Sequence, residues 1–150
     1  MAGLRCATGL LNMREQYDDD LIVEVLDNCR RIALVGASEN PSRPSHSTMA
    51  ALLDRGYDIT PVNPAIAGQE VLGRRVVASL DEAGEVDMVE CFRRSEFIPD
   101  IAMDTVRLRI PVLWLQLDVF HPEAAEFARD NGVVVIQDRC PLIELRRLGR

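Results

Sequence analysis

Five short apolar segments constrain what this chain can fold into: Arg31 to Val35, Tyr57 to Val62, Val86 to Phe92, Pro111 to Leu117 and Val133 to Ile136. Several are unbroken Val/Ile/Leu stretches rather than alternating ones, so both of their faces must be hidden from water, which is the signature of a parallel sheet covered on two sides. Helical patterns fill the intervals. Asp18, Asp19 and Asp20 suit the positive end of a helix dipole and precede Leu21, Ile22, Val25 and Leu26 at helical spacing. Ser45 to Arg55 reads as a helix with Ser45 as its N-cap and Gly56 as its stop. Glu96 to Arg107 follows Ser95 as a cap, Pro122 to Asp130 carries proline in its first turn and ends at Asn131-Gly132, and Pro141 to Arg147 is a short final helix. A Gly- and Pro-containing stretch runs on to Gly73 and is followed by a helical turn around Leu80 to Ala83. The alternation predicts a three-layer α/β/α fold with a mainly parallel sheet of five or six strands.

The 150 residues suit one domain, expected over 18–150, with 1–17 as an N-terminal extension lacking any period that would order it. Met13 is a second candidate for the native start. The chain has no lysine: all 17 of its Lys-plus-Arg positions are arginine. That closes Schiff-base nucleophiles, pyridoxal phosphate anchoring and the Walker-type phosphate loop, each of which needs a primary amine. The formal net charge of −7 argues against nucleic acid as a partner, since that binding depends on a basic face. Any anionic ligand must therefore meet a local cluster of arginines. No apolar run reaches the length of a membrane span, and Cys6, Cys29, Cys91 and Cys140 form no C-x-x-C pair, so a cytoplasmic protein with reduced thiols, and no metal, is expected.

In parallel sheets the ligand crevice lies at the carboxyl ends of the strands, which directs attention to the residues just past each one. After the first strand come Gly36-Ala37-Ser38-Glu39-Asn40-Pro41-Ser42-Arg43-Pro44-Ser45, feeding a helix start. Glycine there allows close approach to a phosphate, yet Ser38 and Pro41 replace the second and third glycines of G-x-G-x-x-G. An ordinary tight βα turn and a phosphate site both fit. The acid that would hold a ribose hydroxyl after the second strand is missing, and Val62-Asn63-Pro64 stands in its place. After the third strand, Phe92-Arg93-Arg94-Ser95 sets two guanidinium groups at the same edge, one of which can pair with Glu96 or Asp100 on the surface. Arg74-Arg75 reads as a solvated surface pair, whereas Arg43 is framed by Pro41 and Pro44. Trp114 is expected in the core, Gln116 at the crevice or on a backbone group, and Cys140 as a buried thiol. Ser45 and His46 make a poor nucleophilic dyad, because neighbours on a helix point apart.

These residues resemble the small stand-alone CoA-binding proteins, a family related to the CoA-binding domain of the succinyl-CoA synthetase α subunit. The likeness runs from about Arg31 to Leu148 and rests on Val35-Gly36-Ala37-Ser38, Arg43-Pro44-Ser45, Pro61-Val62-Asn63-Pro64, Leu72-Gly73, Phe92-Arg93-Arg94-Ser95-Glu96, Trp114-Leu115-Gln116 and Asp138-Arg139-Cys140. The resemblance implies a Rossmann-like fold that binds coenzyme A. It implies that Gly36, Ala37 and Ser38, with Arg43, Pro44 and Ser45, cradle the pyrophosphate. It also implies that Val62, Asn63 and Pro64 border the adenosine, and that Phe92, Arg93 and Arg94 line the site near the nucleotide and the start of the pantetheine arm; Gln116, expected at the crevice, joins them as a candidate binding residue. The family often carries a lysine and a histidine after the Asp-Arg-Cys piece, where this chain has Leu142 and Leu145. The expectation is a CoA or acyl-CoA binding module that also engages a protein partner or a second copy of itself. The alternatives are an NAD(P)-type oxidoreductase, a CoA-thioester enzyme using Cys140 or His46, and a regulatory protein with CoA as effector.

Overall fold

Proline and aspartate punctuate the elements. A computed structural model describes residues 14–150, in the order α1 Asp19–Asn28, β1 Arg31–Val35, α2 Pro44–Asp54, β2 Asp58–Val62, β3 Glu70–Val71, β4 Arg74–Arg75, β5 Met88–Cys91, α3 Ile98–Arg107, β6 Val112–Leu115, α4 Pro122–Asp130, β7 Val134–Ile136 and α5 Pro141–Arg147. Five strands form a wholly parallel sheet in the order β2-β1-β5-β6-β7, as the unbroken apolar runs predicted. β3 and β4 form a separate antiparallel hairpin of two residues each, too short to leave a pattern in sequence. Among the described residues no helix is long and apolar enough to cross a membrane.

Alternate side chains feed two cores. Ile32, Leu34, Ile59, Met88, Trp114 and Ile136 pack with residues of α1, α2 and α5, while Ala33, Val35, Val89, Cys91, Leu113, Leu115 and Val135 pack with α3 and α4. All four residues of β5 and all four of β6 are buried, which is why neither strand alternates in sequence. At the opposite edge of the sheet, Asp87 ties β1 to β5. Its carboxylate accepts from the backbone N–H groups of Arg30 at 3.1 Å and Arg31 at 2.9 Å and pairs with the Arg31 guanidinium at 2.7 Å. That guanidinium holds the Asp87 carboxyl below the usual carboxylate range.

Two helix starts differ from the sequence expectation. α2 begins at Pro44 with Arg43 at its N-cap, and Ser45 is a buried residue of the first turn. Proline fits the first helical position, where no N–H is needed and its fixed φ is already helical, so the start moves ahead of the serine. α3 begins at Ile98, after a 3₁₀ turn at Ser95–Phe97, and the Ser95 hydroxyl accepts from the Phe120 N–H at 2.9 Å instead of capping a helix.

Residues 14–17, which the sequence assigns to the extension, lie as a strap across the end of β7. The Tyr17 hydroxyl accepts from the Gln137 N–H at 2.8 Å and donates to Glu15, which also pairs with Arg129 at 2.8 Å and accepts from Gln137 Nε2 at 3.1 Å. Arg14 pairs with Asp138 at 2.8 Å. Burial opposes ionisation of Glu15, but the hydrogen bonds from Arg129, Tyr17 and Gln137 outweigh it and hold the carboxyl below its ordinary value. Residues 1–13, including the candidate start at Met13, lie outside the described residues.

Tyr17→Phe leaves the fully buried Gln137 N–H without its acceptor. We expect it to lower unfolding free energy by about 1–3 kcal/mol in urea titrations. An unchanged midpoint would show that this hydrogen bond adds nothing to the fold.

Candidate functional site

Strand order determines where a ligand has room. β1 lies between β2 and β5, so the chains leaving β1 and β5 diverge, and the carboxyl ends of these two strands are where parallel sheets of this kind hold their ligands. Gly36, the first residue past β1, has φ +88°, and a Cβ built on it would stand 2.8 Å from the carbonyl oxygen of Phe92. Left-handed backbone and lack of space thus both require glycine here. The N–H groups of Gly36 and Ala37 donate to Val62 O at 3.0 and 3.3 Å, and the Phe92 N–H donates to Val35 O at 2.8 Å. The ends of β2, β1 and β5 are laced together by these bonds.

The loop beyond Gly36 is held by its own side chains. Ser38 Oγ accepts from the Asn40 N–H at 3.0 Å, and Asn40 Oδ1 accepts from the Ser42 N–H at 3.0 Å and the Ser42 hydroxyl at 2.8 Å. The chain then enters α2, whose first turn carries no capping side chain. Arg43 and Pro44 are exposed at this entry. Asn63 donates from Nδ2 to Ala37 O at 2.8 Å and accepts the Ala65 N–H on Oδ1 at 2.9 Å. Both ends of its amide are thereby spent holding the loops after β1 and β2 together, and Pro64 begins the 3₁₀ turn Pro64–Ile66. Opposite, Phe92 and Arg93 are half-buried and Arg94 is exposed. Arg93 and Arg94 both lie over the Phe97 ring, at 4.1 and 5.4 Å, and Arg94 also faces Glu96 at 3.7 Å. Arg74 pairs with Asp58, in keeping with a surface role.

One strand further on, the edge is underlain by buried polar groups. Gln116 is 8% exposed; with its amide nitrogen turned towards the two acceptors, it donates to Glu90 Oε2 at 3.0 Å and to Arg139 O at 3.1 Å. Trp114 is fully buried, as expected, and its indole donates to the same Arg139 carbonyl at 2.9 Å. Glu90 was not singled out in the sequence, although an acid inside Met-Val-Glu-Cys is as unusual as Gln116 in its own strand. It is fully buried, its Oε1 has no partner among the described residues, and burial pushes its carboxyl up to about 8. Cys140 is buried at the N-cap of α5. Burial also pushes the thiols of Cys29 and Cys91 up, to about 11 and about 12. His121 is engaged as the N-cap of α4, its Nδ1 accepting from the Ala124 N–H at 3.1 Å. Among the described residues no group of three His, Cys, Asp or Glu side chains could hold a metal.

Hydrogen bonds therefore bring Gly36, Ala37, Val62, Asn63 and Phe92 together at the carboxyl ends of β2, β1 and β5, with Ser38 next in the loop and Arg43, Pro44 and Ser45 at its far end. Gln116 lies one strand away from Phe92.

A family model described as a CoA binding domain matches residues 30–146. The chain is 42% identical over 120 residues to the uncharacterized protein YneT of Bacillus subtilis (strain 168), covering 79% of this chain and 87% of that one. Among solved structures, a Thermus thermophilus protein superposes with TM-score 0.84 at 35% identity, covering 88% of this chain and 99% of its own. A hypothetical protein from Pyrococcus horikoshii OT3 does so with TM-score 0.85 at 31% identity, covering 92% and 100%.

Gly36→Ala should destabilise by roughly 2 kcal/mol or more, because the side chain meets both a strained φ and the Phe92 carbonyl; a variant melting with wild type would contradict that contact. Glu90 yields a pH signature. Its folded-state pKa lies above the ordinary glutamate value of 4.5, so the native state keeps a proton that the unfolded chain releases. Its contribution is fully present below pH 4.5 and is lost as pH rises to about 8, at up to ~1.4 kcal/mol per pH unit. Glu90→Gln should flatten that fall in denaturant titrations across this range, and parallel curves for the two proteins would rule it out.

Proposed function

The chain belongs to the CoA binding domain family, matched over residues 30–146, and from that premise we propose that it binds coenzyme A, free or as an acyl thioester, in the crevice around Gly36. The observation that carries the reading is the glycine-only exit from β1, whose loop feeds the uncapped first turn of α2. A diphosphate gains there from the N–H groups of Ser38, Glu39 and Ser45, which have no acceptor among the described residues, and from the positive end of an 11-residue helix. In this reading Gly36, Ala37 and Ser38 face the pyrophosphate together with Arg43, Pro44 and Ser45. Val62, Asn63 and Pro64 border the adenosine. The residue after β2 is a neutral asparagine whose amide is already committed, so no carboxylate opposes a phosphorylated ribose, whereas a dinucleotide site would place an acid there. Phe92, Arg93 and Arg94 then line the start of the pantetheine arm, with Gln116 next along the edge.

The activity we propose is binding: a small cytoplasmic module that carries, senses or presents the coenzyme, working with a protein partner or as an oligomer. Calorimetry with CoA, dephospho-CoA and NAD tests it. CoA should bind most tightly of the three, and absence of heat with millimolar CoA would end the proposal. Arg43→Ala should weaken CoA roughly tenfold, the worth of one charge-assisted hydrogen bond, while Arg146→Ala, in the last turn of α5, should leave it unchanged. Equal losses would mean that the phosphates lie elsewhere.

A further inference from the structure

Past Gln116, at the β7 end of the same edge, lies a recess of ≈450 Å³ that none of the residues assigned above lines. Its walls come from the strap, the start of α1, the ends of β6 and β7, and α5. We propose that this recess receives the acyl end of a coenzyme A thioester, and that the acyl group it selects ends in a carboxylate. The inference rests on the reading above for where the coenzyme lies.

Reach favours it. From β1 to β7 is three strand spacings in the order β1-β5-β6-β7, roughly 14 Å. A pantetheine arm has about a dozen chain atoms, as many as four extended residues, and spans ~14 Å. A coenzyme anchored by its phosphates at Gly36 thus carries its sulfur to the edge of the recess. Between them, Arg139 O is bonded to both Trp114 and Gln116, and Arg139 itself is part of the recess wall.

The chemistry of the wall selects the acyl group. Arg14, Arg139 and Arg147 line the recess, each fixed by acceptors: Arg14 by Asp138 at 2.8 Å, Arg139 by Asp138 O at 2.9 Å and by Glu15 O, and Arg147 by Asp19 and Glu144 at 2.8 Å each. A guanidinium has five N–H donors, and these contacts do not exhaust them. Among the described residues Nη1 of Arg14, Nε of Arg139, and Nε and Nη1 of Arg147 have no hydrogen-bond partner. Guanidinium groups held in place with spare donors match a planar carboxylate. The two acids on the wall, Asp19 and Glu144, are already bridged by Arg147. Leu117 and Ile143, 39% and 48% exposed, give the methylenes of a short chain an apolar surface.

The test compares glutaryl-CoA with pentanoyl-CoA, of equal chain length but without the terminal carboxylate, alongside CoA and free glutarate, by calorimetry on the full chain. Glutaryl-CoA should bind roughly tenfold more tightly than pentanoyl-CoA, the gain of one charge-assisted contact. Arg14→Gln should reduce the ratio towards one while leaving unacylated CoA unchanged. Because Arg14 also ties down the strap, Ile143→Asp serves as a second variant: the site is 48% exposed, and the new carboxylate should weaken glutaryl-CoA more than pentanoyl-CoA, which loses only apolar contact, while leaving unacylated CoA unchanged. If CoA binds but the two thioesters bind equally, the recess assignment falls and the coenzyme reading stands. If no CoA compound binds, the coenzyme reading falls. Glutarate heat abolished by Ile143→Asp would then show that the recess takes a free carboxylate rather than a thioester, and silence from glutarate would overturn both.

Discussion

A backbone carbonyl occupies the space where residue 36 would carry a side chain. The rest of the carboxyl edge depends on that approach. With glycine at 36, the chain leaving β1 turns against Phe92, its N–H groups reach Val62 O, and the ends of β2, β1 and β5 close into one rim. Asn63 then fastens the two neighbouring loops with both ends of its amide. The loop from Ser38 to Ser42 needs no outside support, because Asn40 and Ser42 bond within it. Rigidity at this edge is therefore built from short-range backbone geometry, while the side chains facing outward, Arg43 and Arg94, stay exposed.

Beneath the rim runs a seam of polar groups that the apolar core does not need. Glu90, Gln116, Trp114 and Arg139 O form a chain of contacts below the ends of β5, β6 and β7. A fully buried carboxyl with one oxygen unpartnered among the described residues is costly in its charged form, so the native state keeps it neutral near pH 7. The seam also connects the crevice mechanically to the strap, since Arg139 bonds to Glu15 O and lies over Tyr17.

Much of the fold was legible because strand burial on both faces writes itself as unbroken apolar runs, and because Gly56, Asn131-Gly132 and Pro122 mark helix ends chemically. The Gly36 turn was legible for the same reason: few residues other than glycine reach φ +88°. What escaped reading follows from physics that sequence spacing does not carry. Ser45 looked like a cap because serine caps well, but Pro44 beside it fits the first helical position still better. The β3-β4 hairpin is too short for a period. Glu90 hid in an apolar strand, its meaning set by Gln116 just past the end of β6. The strap could not be seen at all, since its partners lie more than a hundred residues away: Tyr17 meets Gln137 across 120 positions.

That separation affects how the molecule assembles. Loops of such length close at an entropic cost that nothing local repays, so contacts between residues 14–17 and the end of β7 are among the last to form and among the first to open. One wall of the recess beside α5 is made by these same residues. The recess therefore does not exist until the final strand has docked, and thermal opening of the strap removes it while the parallel sheet, with its rim around Gly36, stays intact. A ligand seated there would act as a clamp between the strap and α5, slowing amide exchange at Gln137 and around Tyr17 long before it altered exchange in β1 or β5.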